Sequence, residues 1–212
     1  MGSYQPAAET TQIIETLKRS AAALRDADVP FALAGSVACW ARGGPAPYND
    51  VDFAVREQDG ERGLQALVGA GMRAERPPEG WLLKAWDRDV LVDLIWDFSG
   101  LPGVDELLER ADELSVQAQP LPVMALDDVM VSKLCAMDEH ALDFAGPLAA
   151  ARALREQIDW RAVRARTAHW PYAHGFFAML EALEILAPAE SGGSATEPVR
   201  GAAPRVRVVG DG

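Results

Sequence analysis

"FALAGSVACWARGGPAPYNDVDFAV", residues 31–55, opens on an apolar run, breaks at Gly35-Ser36 and closes on Asp50-Val51-Asp52. Pro30 starts a strand over Phe31–Ala34, and Val37–Arg42 reads as one or two helical turns. GGPAP at 43–47 is a loop. Asp50–Val55 then alternates charged and apolar residues, the period of a strand. Side chains two apart on a strand share a face, so Asp50 and Asp52 point one way while Val51, Phe53 and Val55 point into a core. An ionised carboxylate in apolar surroundings is costly unless something pairs with it. The stretch therefore asks for a partner.

A third acid strengthens the question. In "DVLVDLIW", Val90, Val92, Leu94 and Trp96 share one strand face, and Asp93 shares the other with Leu91 and Ile95. If the two strands are neighbours, Asp50, Asp52 and Asp93 converge. Three carboxylates in one place repel and raise each other's pKa, a penalty that a divalent ion removes. Hard oxygen donors of this kind suit Mg²⁺. Upstream, Gly35 ends a strand where a helix begins, and its missing Cβ lets backbone approach a phosphate closely. Ser36 adds a hydroxyl donor. One stretch thus supplies an anion cradle and the next a metal platform.

The rest of the chain frames this centre. Residues 8–28 form an amphipathic helix on Ile13, Ile14, Leu17, Ala21 and Leu24, and 59–70 a second one ending at Gly71. Trp81–Trp86 and Asp89–Trp96 flank Asp87-Arg88 as a hairpin. From about residue 103 the pattern turns mostly helical, with a short extended piece bracketed by Pro120 and Pro122. Helices follow at Leu126–Met137, from Trp160 with Asp159 as its cap, and at Pro171–Leu186 with proline at its start. The fold class expected is α+β: a small mixed sheet flanked by helices over 8–123, then a helical part over 124–187. Residues 188–212 are rich in Ser, Gly, Ala and Pro and read as a disordered tail.

The totals exclude several classes. The 212 residues carry a net charge of −12, which argues against broad nucleic-acid binding. No run of 18 apolar residues is present, so no membrane-spanning helix is expected, and the N-terminus lacks a signal-peptide layout. Cys39 and Cys135 sit in apolar helical patterns and read as buried free thiols, which suits the cytoplasm.

Gly35-Ser36, thirteen intervening residues, Asp50-Val51-Asp52 and the later strand acid Asp93 resemble the signature of the polymerase-β-type nucleotidyltransferase superfamily. The stretch 31–96 is similar to the small nucleotidyltransferases of aminoglycosides and lincosamides and to the AbiE-type toxin nucleotidyltransferases. The resemblance covers roughly residues 8–140. It implies that Asp50, Asp52 and Asp93 bind metal and are catalytic, with Mg²⁺ as the cofactor, and that Gly35 and Ser36 contact the triphosphate of an NTP such as ATP. It further implies transfer of an NMP group to a hydroxyl of a small molecule, an RNA end or a protein side chain. The alternative is a noncatalytic module of the same fold that binds a nucleotide or a partner, for example in a toxin-antitoxin system.

Lys133, between Val131 and Leu134, is placed by the resemblance near the nucleotide phosphates; a snorkelling surface lysine is the other reading. Asp138, Glu139 and His140 read as a solvated helix end. His169 and His174 are five apart and do not form a helical metal pair. Arg152, Arg155, Arg161, Arg164 and Arg166 read as a solvated face, with an acidic acceptor as the alternative. Trp81 and Trp86 read as sharing a strand face, in core packing or as the wall of a pocket.

Overall fold

The computed structural model describes residues 6–47 and 50–188. The expected tail therefore lies outside the described residues, except at residue 188.

The elements run α1 (Pro6–Asp26), β1 (Phe31–Leu33), α2 (Gly35–Ala41), β2 (Asp50–Val55), α3 (Glu57–Gly69), β3 (Arg73–Glu75), β4 (Leu82–Asp87) and β5 (Val90–Ile95). They continue with α4 (Val104–Glu109), β6 (Asp112–Val116), β7 (Gln119–Val123), α5 (Leu126–Cys135), α6 (Ala145–Leu154), α7 (Trp160–Arg166) and α8 (Pro171–Ala182). The architecture is α+β, with a seven-stranded sheet in the order β3-β4-β5-β2-β1-β7-β6. The sheet is mixed: β2 runs parallel to β5 and β1 to β7, while the other pairs are antiparallel.

The sheet's central strands carry the core. Val51, Phe53, Val55, Val92 and Leu94 are all buried, and Phe31 meets Phe53 edge to face. α1 and α3 pack against each other and over β5, and α2 packs on β2 and α5. These contacts use the apolar parity read from the sequence, so the opposite parity of β2 and β5 is left for the three acids. Asp159 caps α7 as expected: its carboxylate accepts hydrogen bonds from the backbone N–H of Arg161 and Ala162.

Three expectations are corrected. The region after 103 is not mainly helical at first, because β6 and β7 form a hairpin there. Its turn residues, Gln117 and Ala118, both adopt positive φ, a conformation the sequence advertises with neither Gly nor Asn. β7 accommodates Pro120 and Pro122 because its second edge is paired only at Leu33↔Val123. The β4–β5 turn is Arg88-Asp89 rather than Asp87-Arg88, with Arg88 at φ +57. Asp87 stays in the strand because Thr16 Oγ1 (2.9 Å) and Arg19 Nη1 (2.7 Å) of α1 donate to its carboxylate. Finally, α2 begins at Gly35, two residues before the expected start at Val37.

Candidate active site

Register brings the acids together. β2 and β5 pair Asp52 with Asp93 directly, and Asp50 lies two residues back on the same face. One carboxylate oxygen from each of Asp50, Asp52 and Asp93 lies within 4.8 Å of the others. The strand carrying Gly35's approach, β1, flanks β2 on the other side, where Ala34 N–H donates to the Asp52 carbonyl at 2.9 Å.

Gly35 is fixed by two constraints. Its φ is +54, and a Cβ there would collide with Asp52 Oδ2. The glycine therefore lets the chain pass directly against the carboxylate. Ser36 Oγ is buried and has no hydrogen-bond partner among the described residues. An orphaned hydroxyl of this kind marks a place where a ligand atom is expected.

The electrostatics are those of carboxylates crowded together in a partly buried place. Burial, reinforced by Asp50 and Asp93, pushes the Asp52 carboxyl up to about 8. Burial also raises Asp50, against the pull of Lys133 and Lys84, and raises Asp93 against the pull of Lys84. Three clustered oxygen donors, a glycine that clears Asp52 and an unpaired serine hydroxyl fit a hard divalent ion carrying a phosphate ligand.

A cavity of about 430 Å³ opens on this cluster. Gly35, Asp52 and Lys133 line one part of it, and Trp81, Phe98 and Met124 line its more apolar part. Lys133 projects from α5 towards the acids and makes no hydrogen bond or ion pair among the described residues. Lys133 also lines a smaller cavity together with Ser36 and Cys39. The expected placements of Gly35, Ser36, Asp50, Asp52, Asp93 and Lys133 thus fall in one region.

Other candidates fall elsewhere. Asp138, Glu139 and His140 are exposed. His174 bonds to the Ala168 carbonyl and His169 packs edge-on to Trp170, so the two histidines form no pair. Arg155, Arg164 and Arg166 are engaged by Glu156, Glu181 and Asp128. Trp81 and Trp86 do not share a role: five positions apart, they have opposite strand parity. Trp81 is 41% exposed and lines the cavity, while Trp86 donates to Glu75 at 2.7 Å.

Sequence reasoning missed Lys84. It faces Asp93 across β4–β5, and its Nζ lies 3.2 and 3.4 Å from the two carboxylate oxygens. The signal was present but displaced. With the turn at Asp87-Arg88, Lys84 would face Leu91; with the turn at Arg88-Asp89 it faces Asp93.

No protein-family model matches the chain, and no curated protein matches it significantly. Among solved structures, the solution structure of the antibiotic-resistance factor ANT(2'')-Ia superposes with a TM-score of 0.58 at 15% identity, over 83% of this chain and 98% of that one. A crystal structure of ANT(2'')-Ia in complex with adenylyl-2''-tobramycin is 15% identical, with a TM-score of 0.47 over 82% and 97%. The lincomycin-bound lincosamide antibiotic adenylyltransferase LnuA is 11% identical, with a TM-score of 0.48 over 72% and 97%. At such identity the first of these establishes architecture, and the chain has a polymerase-β-type nucleotidyltransferase-like fold.

Proposed function

We propose that this protein is a Mg²⁺-dependent nucleotidyltransferase that moves an NMP group from an NTP to a hydroxyl of a small molecule. The observation that carries this reading is the convergence of Asp50, Asp52 and Asp93 beside Gly35, at the edge of a cavity of about 430 Å³. In this reading the 8–123 core carries the acids, and the 124–187 part brings Lys133 to them.

Each residue has a role set by its position. Asp50, Asp52 and Asp93 would hold the divalent ion. The ion supplies charge neutralisation and alignment for an in-line displacement at the α-phosphorus. Gly35 admits the polyphosphate past Asp52, Ser36 donates its free hydroxyl to it, and Lys133 offsets its charge. The acceptor oxygen forms a bond to the α-phosphorus as the bond to pyrophosphate breaks, and Asp93 takes the acceptor's proton. Trp81, Phe98 and Met124 give a base or an acceptor ring an apolar surface.

A small acceptor is favoured over an RNA end or a protein side chain. The site is a pocket of ligand size, three of the five arginines that would form a basic face already have partners, and the protein that superposes at a TM-score of 0.58 is an antibiotic-resistance factor. The free, buried Cys39 and Cys135 support a cytoplasmic setting, and no helix among the described residues is long and apolar enough to cross a membrane. The noncatalytic alternative is disfavoured by the presence of all three acids.

The test is direct. Purified protein with Mg²⁺ and labelled NTPs, offered hydroxylated small molecules, RNA and protein in parallel, should label the small-molecule fraction. Asp50→Asn and Asp52→Asn should each abolish labelling. Absence of both transfer and Mg²⁺-dependent NTP binding in the wild type would sink the enzyme reading.

A further inference from the structure

Of the two lysines that act on the acids, Lys84 is the one in direct contact with a carboxylate. Lys84, Asp93 and Asp52 form a row across three adjacent strands, β4, β5 and β2, at matched register positions. Side chains at matched positions point to the same face, so one ammonium and two carboxylates stand side by side, with Asp50 next to them. Lys84 is mostly buried, with its side chain 21% exposed and that of Asp93 11% exposed. On its other flank Lys84 faces Glu75 of β3, whose carboxylate accepts from Trp86 Nε1.

The Lys84–Asp93 contact has the form of a displaceable pair. Its distances, 3.2 and 3.4 Å, exceed the roughly 2.7–2.9 Å of a well-formed charge-assisted hydrogen bond, and the ammonium straddles both oxygens. Lysine is a point charge on a flexible stem, without the fixed fork of arginine. Its charge also acts on Asp50 and Asp52. A divalent ion on the triad would stand close to this ammonium, and the two positive charges would repel.

We propose that Lys84 is the resident counter-ion of Asp93, a positioning residue that competes with divalent metal for that carboxylate and keeps the nucleotide-free site metal-poor. The site then fills when a polyphosphate brings both its own metal and the negative charge that offsets Lys84. Loading of metal is thereby coupled to arrival of the nucleotide. This rests on the reading of the triad as a metal site, and its test does not use transfer.

The probe is Mn²⁺ alone, titrated into the full chain without nucleotide and followed by electron paramagnetic resonance and by the Mn²⁺-induced change in melting temperature. Lys84→Met removes the charge while keeping a long side chain. It should bind Mn²⁺ about tenfold more tightly than wild type, with a larger Mn²⁺-induced rise in melting temperature. Lys84→Arg keeps the charge and should bind no more tightly than wild type. Adding Asp52→Asn to Lys84→Met should remove the gain, which locates it at the triad. A merely structural loss at position 84 would weaken binding in both variants. Equal or weaker Mn²⁺ binding by Lys84→Met overturns the role given to Lys84 and leaves the metal site standing. Failure of Mn²⁺ to bind either wild type or Lys84→Met at millimolar concentration overturns the metal site itself, and the proposal with it.

Discussion

Two carboxylates in this protein, Asp128 buried and Asp52 half-buried, meet opposite fates. Asp128, on α5, has a side chain only 2% exposed and is clasped by two arginines. Arg110 donates to Oδ2 at 2.9 Å from the end of α4, and Arg166 donates to Oδ1 at 2.7 Å from the end of α7. Asp52, on β2, has Asp50 and Asp93 for neighbours, and no hydrogen bond or ion pair among the described residues reaches its carboxylate. Asp128 ties three helices together and leaves nothing for a ligand to do. Asp52 has an unmet demand for positive charge at the edge of a cavity. A buried acid with its partners in place is architecture, and a half-buried acid crowded by other acids is a site.

The largest expected difference between the two is in transfer. Asp52→Asn should reduce NMP transfer by about a thousandfold or more, as removal of a metal ligand takes several kcal/mol from the transition state. Asp128→Asn should leave the rate per folded molecule close to wild type. A steady-state comparison at a temperature where both variants are folded decides it, and equal losses would erase the distinction.

The next effect is on stability as a function of pH in EDTA-treated protein. Burial and the two neighbouring acids hold the Asp52 carboxyl at about 8, well above the ordinary carboxylate value of 3.8. From pH 5 to 8 the folded chain therefore keeps a proton that the unfolded chain has lost, and wild-type stability falls as pH rises. Asp52→Asn has no such proton to lose. Its advantage in unfolding free energy, measured by denaturant melts at each pH, should grow across that window and reach about 2–4 kcal/mol at the upper end. Saturating Mg²⁺ should flatten the wild-type slope. A pH-independent difference would show that Asp52 is not frustrated in the way described.

Asp128→Asn should act in the opposite direction. Breaking a buried pair costs about 3–5 kcal/mol when the partner charge stays buried. Arg110 and Arg166 are 43% and 32% exposed and can turn to solvent, so about 1–3 kcal/mol is expected here. Denaturant melts with unchanged slope would measure it.

The contrast was half legible in the sequence. Asp50 and Asp52 stand out because period two is strict around them, and β2 falls on the residues expected, Asp50–Val55. Asp93 stands out between Leu91 and Ile95 for the same reason. Lys84 and Asp128 do not, because their meaning lies in pairing. Lys84 depends on the hairpin register, which a single-residue shift of the turn conceals. Asp128 depends on arginines 18 and 38 residues away, which no local period connects. The β6–β7 hairpin was hidden by a turn of Gln117 and Ala118, residues that rarely take positive φ. Strand parity is a local property and survives in one sequence, whereas register and ion pairing are tertiary.

The smallest effect expected concerns a third acid, Asp159, which is exposed and serves the backbone alone. Its carboxylate accepts from Arg161 and Ala162 N–H at 3.0 Å each, and its own N–H donates to Asp127 Oδ1 at 2.8 Å. The cap fixes the start of α7, whose last residue, Arg166, reaches Asp128. Asp159→Ala should cost about 1 kcal/mol, the usual worth of an N-cap. If α7 transmits that loss to the clasp, the double variant with Asp128→Asn should be less destabilised than the sum of the single variants. Strict additivity in a double-mutant cycle would mean that Asp128 holds Arg166 without help from the cap, and transfer should be untouched in either case.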